Sequence, residues 1–421
     1  MDDRAHWPTR EEVLRLAEEH VCPDRVRTLT GLHADLVIGR REGYRMWDLD
    51  GRELLDLHLN GGTFNLGHRH PALVEELRVA LDRLDIGNHH FPSAERALLA
   101  EQLVALTPGM RYAVFGSGGG EAVDLALKSA RRATGRNRVV SATGGYHGHT
   151  GLALAAGDER AAAAFGSAGA PGEFVHVPFN DAAAVEAACA AGDVAAVILE
   201  TVPATVGFVP PQPGYLAEVE AVCHRHGTAL VLDEVQTGLG RTGPLWAFER
   251  HGVQPHAVIT AKGLSGGLYP ISATLLDDWL GGWLEDDGWG HVSTFGGAEL
   301  GCPVARRVLD LTTDPATVEH VESLVALFAD GLADLRRRHP EWLLEVRQTG
   351  LVIGLRFAHP QGGMLMTGAL LTAGVWAIYA GFDPSCLQFK PGLLLGVDEA
   401  RAALAALDTA CAQVGGAVAG G

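Results

Sequence analysis

Residues 230–238 read LVLDEVQTG, and this stretch decides the fold of the chain. An apolar run that ends in acidic residues predicts a buried strand, which delivers Asp233 to the carboxyl end of a sheet. A second apolar run, AVITA at 257–261, leads into Lys262 and a glycine-rich loop. A carboxylate and a lysine are therefore expected side by side at neighbouring strand ends.

This pairing meets the central requirement of pyridoxal phosphate (PLP) chemistry. A lysine amine forms a Schiff base with PLP, and a carboxylate keeps the pyridine nitrogen protonated so that the ring serves as an electron sink. Lys262 is the predicted amine, because the apolar segment before it would desolvate the ammonium and lower its pKa from about 10.4. Asp233 is the predicted partner of the ring nitrogen, since the pyridinium would compensate its buried charge.

These residues also carry a family resemblance. The string DEVQTGLGRTG at 233–243, with a lysine 29 positions after the aspartate (262 minus 233), resembles the class III aminotransferases, which are PLP enzymes of fold type I. The resemblance covers about Tyr44 to Val397. It implies an enzyme that moves an amino group between an amine or amino acid and a carbonyl acceptor, through an aldimine on Lys262. It further implies a homodimer.

The order of helix-like and strand-like segments indicates an α/β fold. Apolar strand segments at 112–115, 138–141 and 195–199 alternate with helical patterns at 95–106 and 121–134. Such cycles predict a mostly parallel sheet flanked by helices, with its binding site beyond the carboxyl ends of the strands.

The resemblance adds a small α+β domain to this large one. The amino-terminal segment contains a predicted hairpin with its turn at Asp50-Gly51. The expected division is an N-terminal segment 1–60 that packs with the small domain, a large PLP-binding domain 61–300 and a C-terminal small domain 301–421.

A glycine-rich turn offers a cradle for the cofactor phosphate. Residues 115–122 read FGSGGGEA, a short strand followed by glycines and the start of a helix. Backbone N–H groups and the helix dipole favour an anion at such a position. The family usually has serine or threonine directly before Glu-Ala, whereas this chain has Gly118, Gly119 and Gly120. The lost side-chain hydrogen bond to an anion is worth roughly 1.5–3 kcal/mol.

The resemblance assigns the remaining cofactor contacts. Gln236 occupies the position that hydrogen-bonds the phenolic oxygen of PLP, and Val235 occupies the position that packs on one ring face. Tyr146, in the motif GGYHGH, is implied to stack on the other face. Thr294, in the motif STFGG, is implied to reach the phosphate bound by the neighbouring subunit.

The substrate side departs from the family pattern. Many members that use α-ketoglutarate grip its carboxylate with an arginine, where this chain has Gln388, and gate that arginine with a glutamate, where it has Thr205. Glu200 begins the motif that carries the gate, and Lys390 is a candidate substitute cation. Glu200, Gln388 and Lys390 are the candidate substrate-binding residues. Glutamate is consequently expected to be a poor amino donor.

The shared cofactor site leaves other reactions open. One alternative is a PLP enzyme of the same family that does not transaminate, such as an aminomutase, an epimerase or a carbon–carbon bond-forming enzyme. Another is a non-catalytic binding protein on this fold, which the presence of Lys262 disfavours.

Composition narrows the partners and the compartment. The net charge is −18 and basic residues form no block, which argues against nucleic acid and anionic membranes as partners. The six cysteines are scattered and no Cys/His set has zinc spacing, so reduced thiols and no metal are expected. Without a secretory signal or a span of about 20 apolar residues, a cytoplasmic enzyme of small-molecule amines and carbonyls is predicted.

Overall fold

The computed structural model describes residues 8–32 and 34–419, and its strands form three sheets. The first seven residues of the predicted N-terminal segment lie outside the described residues. In chain order the strands are β1 (Ile38–Glu42), β2 (Arg45–Asp48), β3 (Glu53–Asp56), β4 (Tyr112–Gly116), β5 (Arg138–Ala142), β6 (Phe174–Val177), β7 (Val194–Glu200), β8 (Ala229–Asp233), β9 (Ala257–Thr260), β10 (Ser272–Leu276), β11 (Leu343–Thr349), β12 (Val352–Phe357), β13 (Val375–Trp376), β14 (Ile378–Tyr379) and β15 (Cys386–Phe389).

Helices surround these sheets. In chain order they are α1 (Arg10–His20), α2 (Pro23–Gly31), α3 (Leu59–Gly62), α4 (Pro71–Leu81), α5 (Ala94–Ala105), α6 (Gly119–Thr134), α7 (Gly151–Gly157), α8 (Glu159–Ala164), α9 (Ala182–Cys189), α10 (Tyr215–His226), α11 (Asp278–Gly281), α12 (Gly301–Thr313), α13 (Pro315–Arg338), α14 (Gly362–Thr372) and α15 (Val397–Ala419). Short 3₁₀ helices occupy Ala247–His251, Lys262–Ser265 and Gly282–Glu285. None of the described helices has the length and apolar character that crossing a bilayer requires.

The seven-stranded sheet sets the position of the site. Its order is β4-β10-β9-β8-β7-β5-β6, and only β10 runs antiparallel to its neighbours. Glu200 pairs with Asp233 across β7 and β8, and Asp233 pairs with Ile259 across β8 and β9. The carboxyl ends of these three strands therefore meet at one edge of the sheet, as the sequence predicts.

Both faces of this sheet are covered by helices, which explains the continuous apolar runs of its central strands. Along β7, Val197 and Leu199 pack in the same cluster as buried residues of α10. Ala196 and Ile198 pack in the cluster that contains buried residues of α6. The mostly parallel sheet between helical layers confirms the predicted α/β fold class.

Of the two smaller sheets, one joins amino-terminal strands to a strand from the carboxy-terminal part of the chain, and the other contains carboxy-terminal strands only. The predicted hairpin is confirmed, since β2 and β3 pair antiparallel and Gly51 adopts φ +86° in the turn between them. β3 also pairs in parallel with β13, so that the sheet order is β1-β2-β3-β13. The other sheet, β11-β12-β15-β14, is antiparallel. The domain boundaries at residues 60 and 300 stay a prediction.

Candidate active site

A cavity of about 760 Å³ lies beyond the carboxyl ends of the central strands. Most of the residues that the sequence nominates share its wall, namely Gly118, Gly119, Gly120, Tyr146, Glu200, Asp233, Val235, Gln236, Lys262 and Gln388. Two nominated residues lie outside the wall. Lys390 is completely buried behind it, and Thr294 is exposed on a loop elsewhere on the chain.

Lys262 leaves β9 in a strained conformation. Its φ is +43°, in the left-handed region that costs a residue with a side chain about 1–3 kcal/mol, and it starts a 3₁₀ turn. Burial lowers the pKa of Lys262 from its ordinary value, although the charges of Asp233 and Glu200 oppose this shift. The amine is thereby closer to the neutral form that a nucleophile requires.

Asp233 is held from two sides. Its Oδ1 accepts a hydrogen bond from the Val235 backbone N–H at 3.0 Å, and its Oδ2 lies 2.9 Å from Nδ1 of His147. Burial alone would lower the pKa of His147, but the hydrogen bond and the charge of Asp233 outweigh it and raise that pKa. The motif GGYHGH thus contains a residue, His147, to which the sequence analysis assigned no role.

The glycine cradle opens the 16-residue helix α6. Gly118 is its N-cap and makes no side-chain capping bond, so the amides of the first turn are open to an anion. Ser117 does not supply the missing hydroxyl, because its Oγ donates to Oε2 of Glu121 at 2.9 Å. The hydroxyl of Thr150 comes closer, since a Cβ added at Gly120 would lie 2.7 Å from Thr150 Oγ1.

The other predicted cofactor residues surround the same space. A Cβ added at Gly119 would lie 3.5 Å from the Val235 methyl carbons, so Val235 faces the glycine turn. A Cβ at Gly61 would lie 3.1 Å from Gln236 Oε1 and 3.5 Å from Lys262 Nζ. Amides open to an anion, a fixed carboxylate and a partly desolvated amine around one cavity are the groups that PLP needs. The residues present fit this cofactor.

An amino-terminal segment also reaches the site, although no motif in the sequence pointed to it. His58, Asn60, Gly61, Thr63 and Phe64 all line the cavity. Burial and the nearby positive charge of Lys390 lower the pKa of His58 well below its ordinary value, so its imidazole is neutral. The signal for this segment was weak, since Asn-Gly-Gly indicates a turn without indicating which strand ends lie next to it.

The predicted substrate-binding residues include an amide, Gln388, that is held by hydrogen bonds at both ends. Lys390 Nζ donates to Gln388 Oε1 at 2.6 Å, and Gln388 Nε2 donates to the Ala204 carbonyl at 2.9 Å. Burial lowers the pKa of Lys390 well below its ordinary value. Glu200 accepts backbone N–H groups of Tyr146 and Ala204 at 2.8 and 3.2 Å. Within residues 8–32 and 34–419, no arginine lines the cavity and Lys262 is its one lysine.

The described residues contain no comparable arrangement of side chains for binding a metal ion. Among the described residues, no group of three histidine, cysteine, aspartate or glutamate side chains is placed to hold a metal ion. The chemistry that the cavity supports rests on its amine, its carboxylates and its open amides.

Comparison with known proteins identifies the family. The family model described as "Aminotransferase class-III" matches residues 30–411. An uncharacterized aminotransferase of Archaeoglobus fulgidus is 47% identical over 391 residues, which is 93% of this chain and 91% of that protein.

Solved structures agree. The ornithine aminotransferase of Toxoplasma gondii, in a structure with partial occupancy of PLP at its active site, gives a TM-score of 0.86 at 26% identity and covers 96% of this chain and 95% of its own. The N-acetylornithine aminotransferase of Stenotrophomonas maltophilia gives 0.79 at 29% identity, with 92% and 100% covered. With a family match over most of its length and a site that fits PLP, the chain belongs to the class III aminotransferases and is a PLP-dependent transaminating enzyme.

Proposed function

We propose that Lys262 holds PLP covalently and moves the proton that transamination requires. When bound, PLP supplies an electron sink that stabilises negative charge on the substrate carbon next to the amine. The observation that carries the proposal is the position of Lys262, the one lysine on the described cavity wall, with burial lowering the pKa of its amine. A neutral Nζ can bond to the cofactor, and it can later take a proton from the substrate carbon and return it.

The other nominated residues hold and tune the cofactor in this proposal. Asp233 places its carboxylate at the ring nitrogen, and its contact with His147 fixes the orientation of the carboxylate. The amides of Gly118, Gly119 and Gly120 receive the phosphate. Three side chains complete the set, with Tyr146 and Val235 on the ring faces and Gln236 at the phenolic oxygen.

Borohydride reduction tests the assignment of Lys262. The holoenzyme should absorb at about 420 nm, and reduction should fix the cofactor to the peptide that contains Lys262. Lys390 is the internal control, because it is a fully buried lysine near the same cavity. A Lys390→Met variant should still be labelled at Lys262, and a Lys262→Ala variant should not be labelled anywhere. Cofactor found on another lysine contradicts the proposal.

We further propose that glutamate is a poor amino donor for this enzyme. The support is the neutral Gln388, together with a Thr205 whose hydroxyl donates to the Gly144 carbonyl at 2.7 Å. A substrate carboxylate would lose a bidentate, charge-assisted clamp. We expect a kcat/KM for glutamate at least about a hundredfold below that of the preferred amine. Efficient conversion of the cofactor to its amine form by glutamate would contradict this.

The proposed assembly is a homodimer in which Thr294 reaches the cofactor phosphate of the neighbouring subunit. Large apolar side chains beside Thr294 are exposed in the single chain, with 60% of Trp289, 50% of Val292 and 57% of Phe295 accessible. Exposed apolar patches of this kind are typical of protein interfaces. Thr294 itself is exposed, as a residue that contacts a partner's cofactor has to be in the isolated chain.

The proposed compartment is the cytoplasm. Each of the six cysteines is a free thiol, and five of them are buried. Unpaired cysteines in a chain of this size are typical of a reducing environment.

A further inference from the structure

The far wall of the cavity places two polar side chains next to each other. Gln388, at the end of β15, donates from Nε2 to the Ala204 carbonyl at 2.9 Å. Thr205 follows Ala204 directly in the chain, and both Gln388 and Thr205 line the cavity. A substrate group that reaches this wall meets the amide and the hydroxyl together.

The orientation of the Gln388 amide is fixed by its neighbours. A backbone carbonyl only accepts hydrogen bonds, so the NH₂ end of the amide has to face Ala204. The opposite end faces Lys390, whose Nζ donates to Oε1 at 2.6 Å. An amide NH₂ carries two N–H groups, and only one is used by Ala204. The second N–H of Gln388 is left for the cavity, and this wall therefore offers a donor.

Thr205 offers the complementary acceptor. Its single hydroxyl proton is committed to the Gly144 carbonyl, with Oγ1 and the carbonyl oxygen 2.7 Å apart. A hydroxyl that has donated its proton still has lone pairs with which to accept. The pair formed by Gln388 and Thr205 thus presents one N–H donor beside one oxygen acceptor.

The cation nearest to this pair, Lys390, does not line the cavity. Lys390 has no exposed surface and lies behind Gln388. Glu200 lines the cavity, and each of its oxygens already accepts one backbone N–H group, from Tyr146 and Ala204. At this pair, a substrate carboxylate would meet the lone pairs of Thr205, and a substrate ammonium would meet the N–H donor of Gln388.

We propose that this wall selects primary amines that carry an uncharged hydroxyl at the end remote from the amine. The substrate hydroxyl accepts a hydrogen bond from the free N–H of Gln388 and donates one to Thr205 Oγ1. It can do both because a hydroxyl donates and accepts through one oxygen atom. The assignment rests on the proposed reaction at Lys262 and specifies its substrate class as amino alcohols.

The test compares the single-turnover rate at which probe amines convert the cofactor of the holoenzyme to its amine form. At each of several chain lengths, the probes end in a hydroxyl, a methyl, a carboxylate or an ammonium group. At the best chain length, we expect the hydroxyl-ended amine to react at least about tenfold faster than each of the other three, since a site built for hydrogen bonds discriminates against analogues that leave its groups unpaired.

Two variants test whether Gln388 and Thr205 cause this preference. In Gln388→Leu and in Thr205→Val, the ratio of the hydroxyl-ended to the methyl-ended rate should fall to about one, because each variant removes one of the two hydrogen-bonding partners. The ratio cancels a general loss of activity, and the visible absorbance of the cofactor checks that the variants fold. Thr205→Ser keeps the hydroxyl and should keep the preference.

Three outcomes would overturn the assignment. Faster reaction of the carboxylate-ended, ammonium-ended or methyl-ended amine would refute the substrate class and leave the reaction at Lys262 intact. An unchanged ratio in both variants would remove Gln388 and Thr205 from the recognition of substrate. Failure of every amine to convert the bound cofactor would refute the proposed reaction itself, and the substrate class with it.

Discussion

Two adjacent acidic residues, Asp233 and Glu234, illustrate how neighbouring positions on one strand end serve different purposes. Asp233 faces the cavity and touches His147. Glu234 points away and is enclosed by four donors, the hydroxyls of Thr201 and Thr237 and the backbone N–H groups of Ala247 and Phe248. In the proposed mechanism the first residue provides charge for chemistry, whereas the second ties the strand end to the loop that follows it.

Replacing Asp233 by asparagine should remove turnover with little change in the fold. An amide cannot stabilise a protonated ring nitrogen, so we expect kcat to fall by about two to three orders of magnitude, which is roughly 3–4 kcal/mol of transition-state stabilisation. Steady-state kinetics of the variant, with cofactor content measured in parallel, check this. Near-normal activity would remove Asp233 from the proposed role.

Glu234→Gln provides the matched control and a pH prediction. Burial raises the pKa of Glu234 to about 7. The pKa of an unfolded glutamate is about 4.3. Between that pH and pH 7 the folded protein therefore holds a proton that the unfolded chain has lost, and stability falls as pH rises through this window. We expect the thermal midpoint of the wild type to decrease from about pH 5 to pH 7, and this dependence to be weaker in Glu234→Gln. Identical pH profiles would contradict the assignment.

Among the helices, α6 shows how a glycine can be required by a residue of another segment. Gly120 leaves space for Thr150, whose hydroxyl lies 3.1 Å from Oδ2 of Asp124. Asp124 also accepts the N–H of Ala153 at 2.7 Å, which ties the start of α7 to α6. Gly120 and Thr150 thus pack as a pair, because a side chain at position 120 would clash with Thr150. The sequence alone shows only that the usual hydroxyl is missing from the cradle.

This pairing predicts that a single substitution at Gly120 weakens PLP retention and that a second substitution at Thr150 restores it. Gly120→Ser brings a Cβ to within 2.7 Å of Thr150 Oγ1, so we expect PLP to dissociate at least about tenfold faster from the variant. Gly120→Ser with Thr150→Ala removes the clash and should restore most of the retention. The measurement is the loss of cofactor absorbance in the presence of an apo-enzyme trap. Equal losses in the single and double variants would show that the two positions do not compete for space.

Strands and helices with a clear apolar pattern could be predicted from the sequence. Segments that reach the site only through tertiary contacts could not. The apolar runs before Asp233 and Lys262 predict two buried parallel strands, whose carboxyl ends lie at the same edge of a sheet, and the structure shows that β8 and β9 are neighbours there. His58 to Phe64 has no such pattern, and its approach to Lys262 depends on pairing between β3 and β13. Lys390 follows an apolar strand, and sequence could not show that its amine turns inward behind Gln388.

For the whole molecule, the site of one chain is expected to be complete only beside a second chain. Thr294→Ala should raise the dissociation constant for PLP by about tenfold, since one hydroxyl bond to an anion is worth roughly 1.5–3 kcal/mol. Dimerisation should persist, because a single hydroxyl is a small part of a subunit interface. Sedimentation and cofactor titration measure the two effects separately. A monomeric wild type, or unchanged PLP affinity in the variant, would refute the shared site.

The parallel pairing of β3 with β13 joins two segments that the ribosome synthesises at very different times. Leu55 and Asp56 find their partners in Val375 and Trp376, and the Lys390 backbone N–H bonds to the Leu57 carbonyl at 2.9 Å. A ribosome that has just synthesised Leu57 has more than three hundred residues still to add before that partner emerges (390 minus 57 is 333). The strands of the large sheet are synthesised before β13, but the wall built from His58 and Asn60 waits for its partners, so a nascent chain completes this pocket only after Lys390 has emerged.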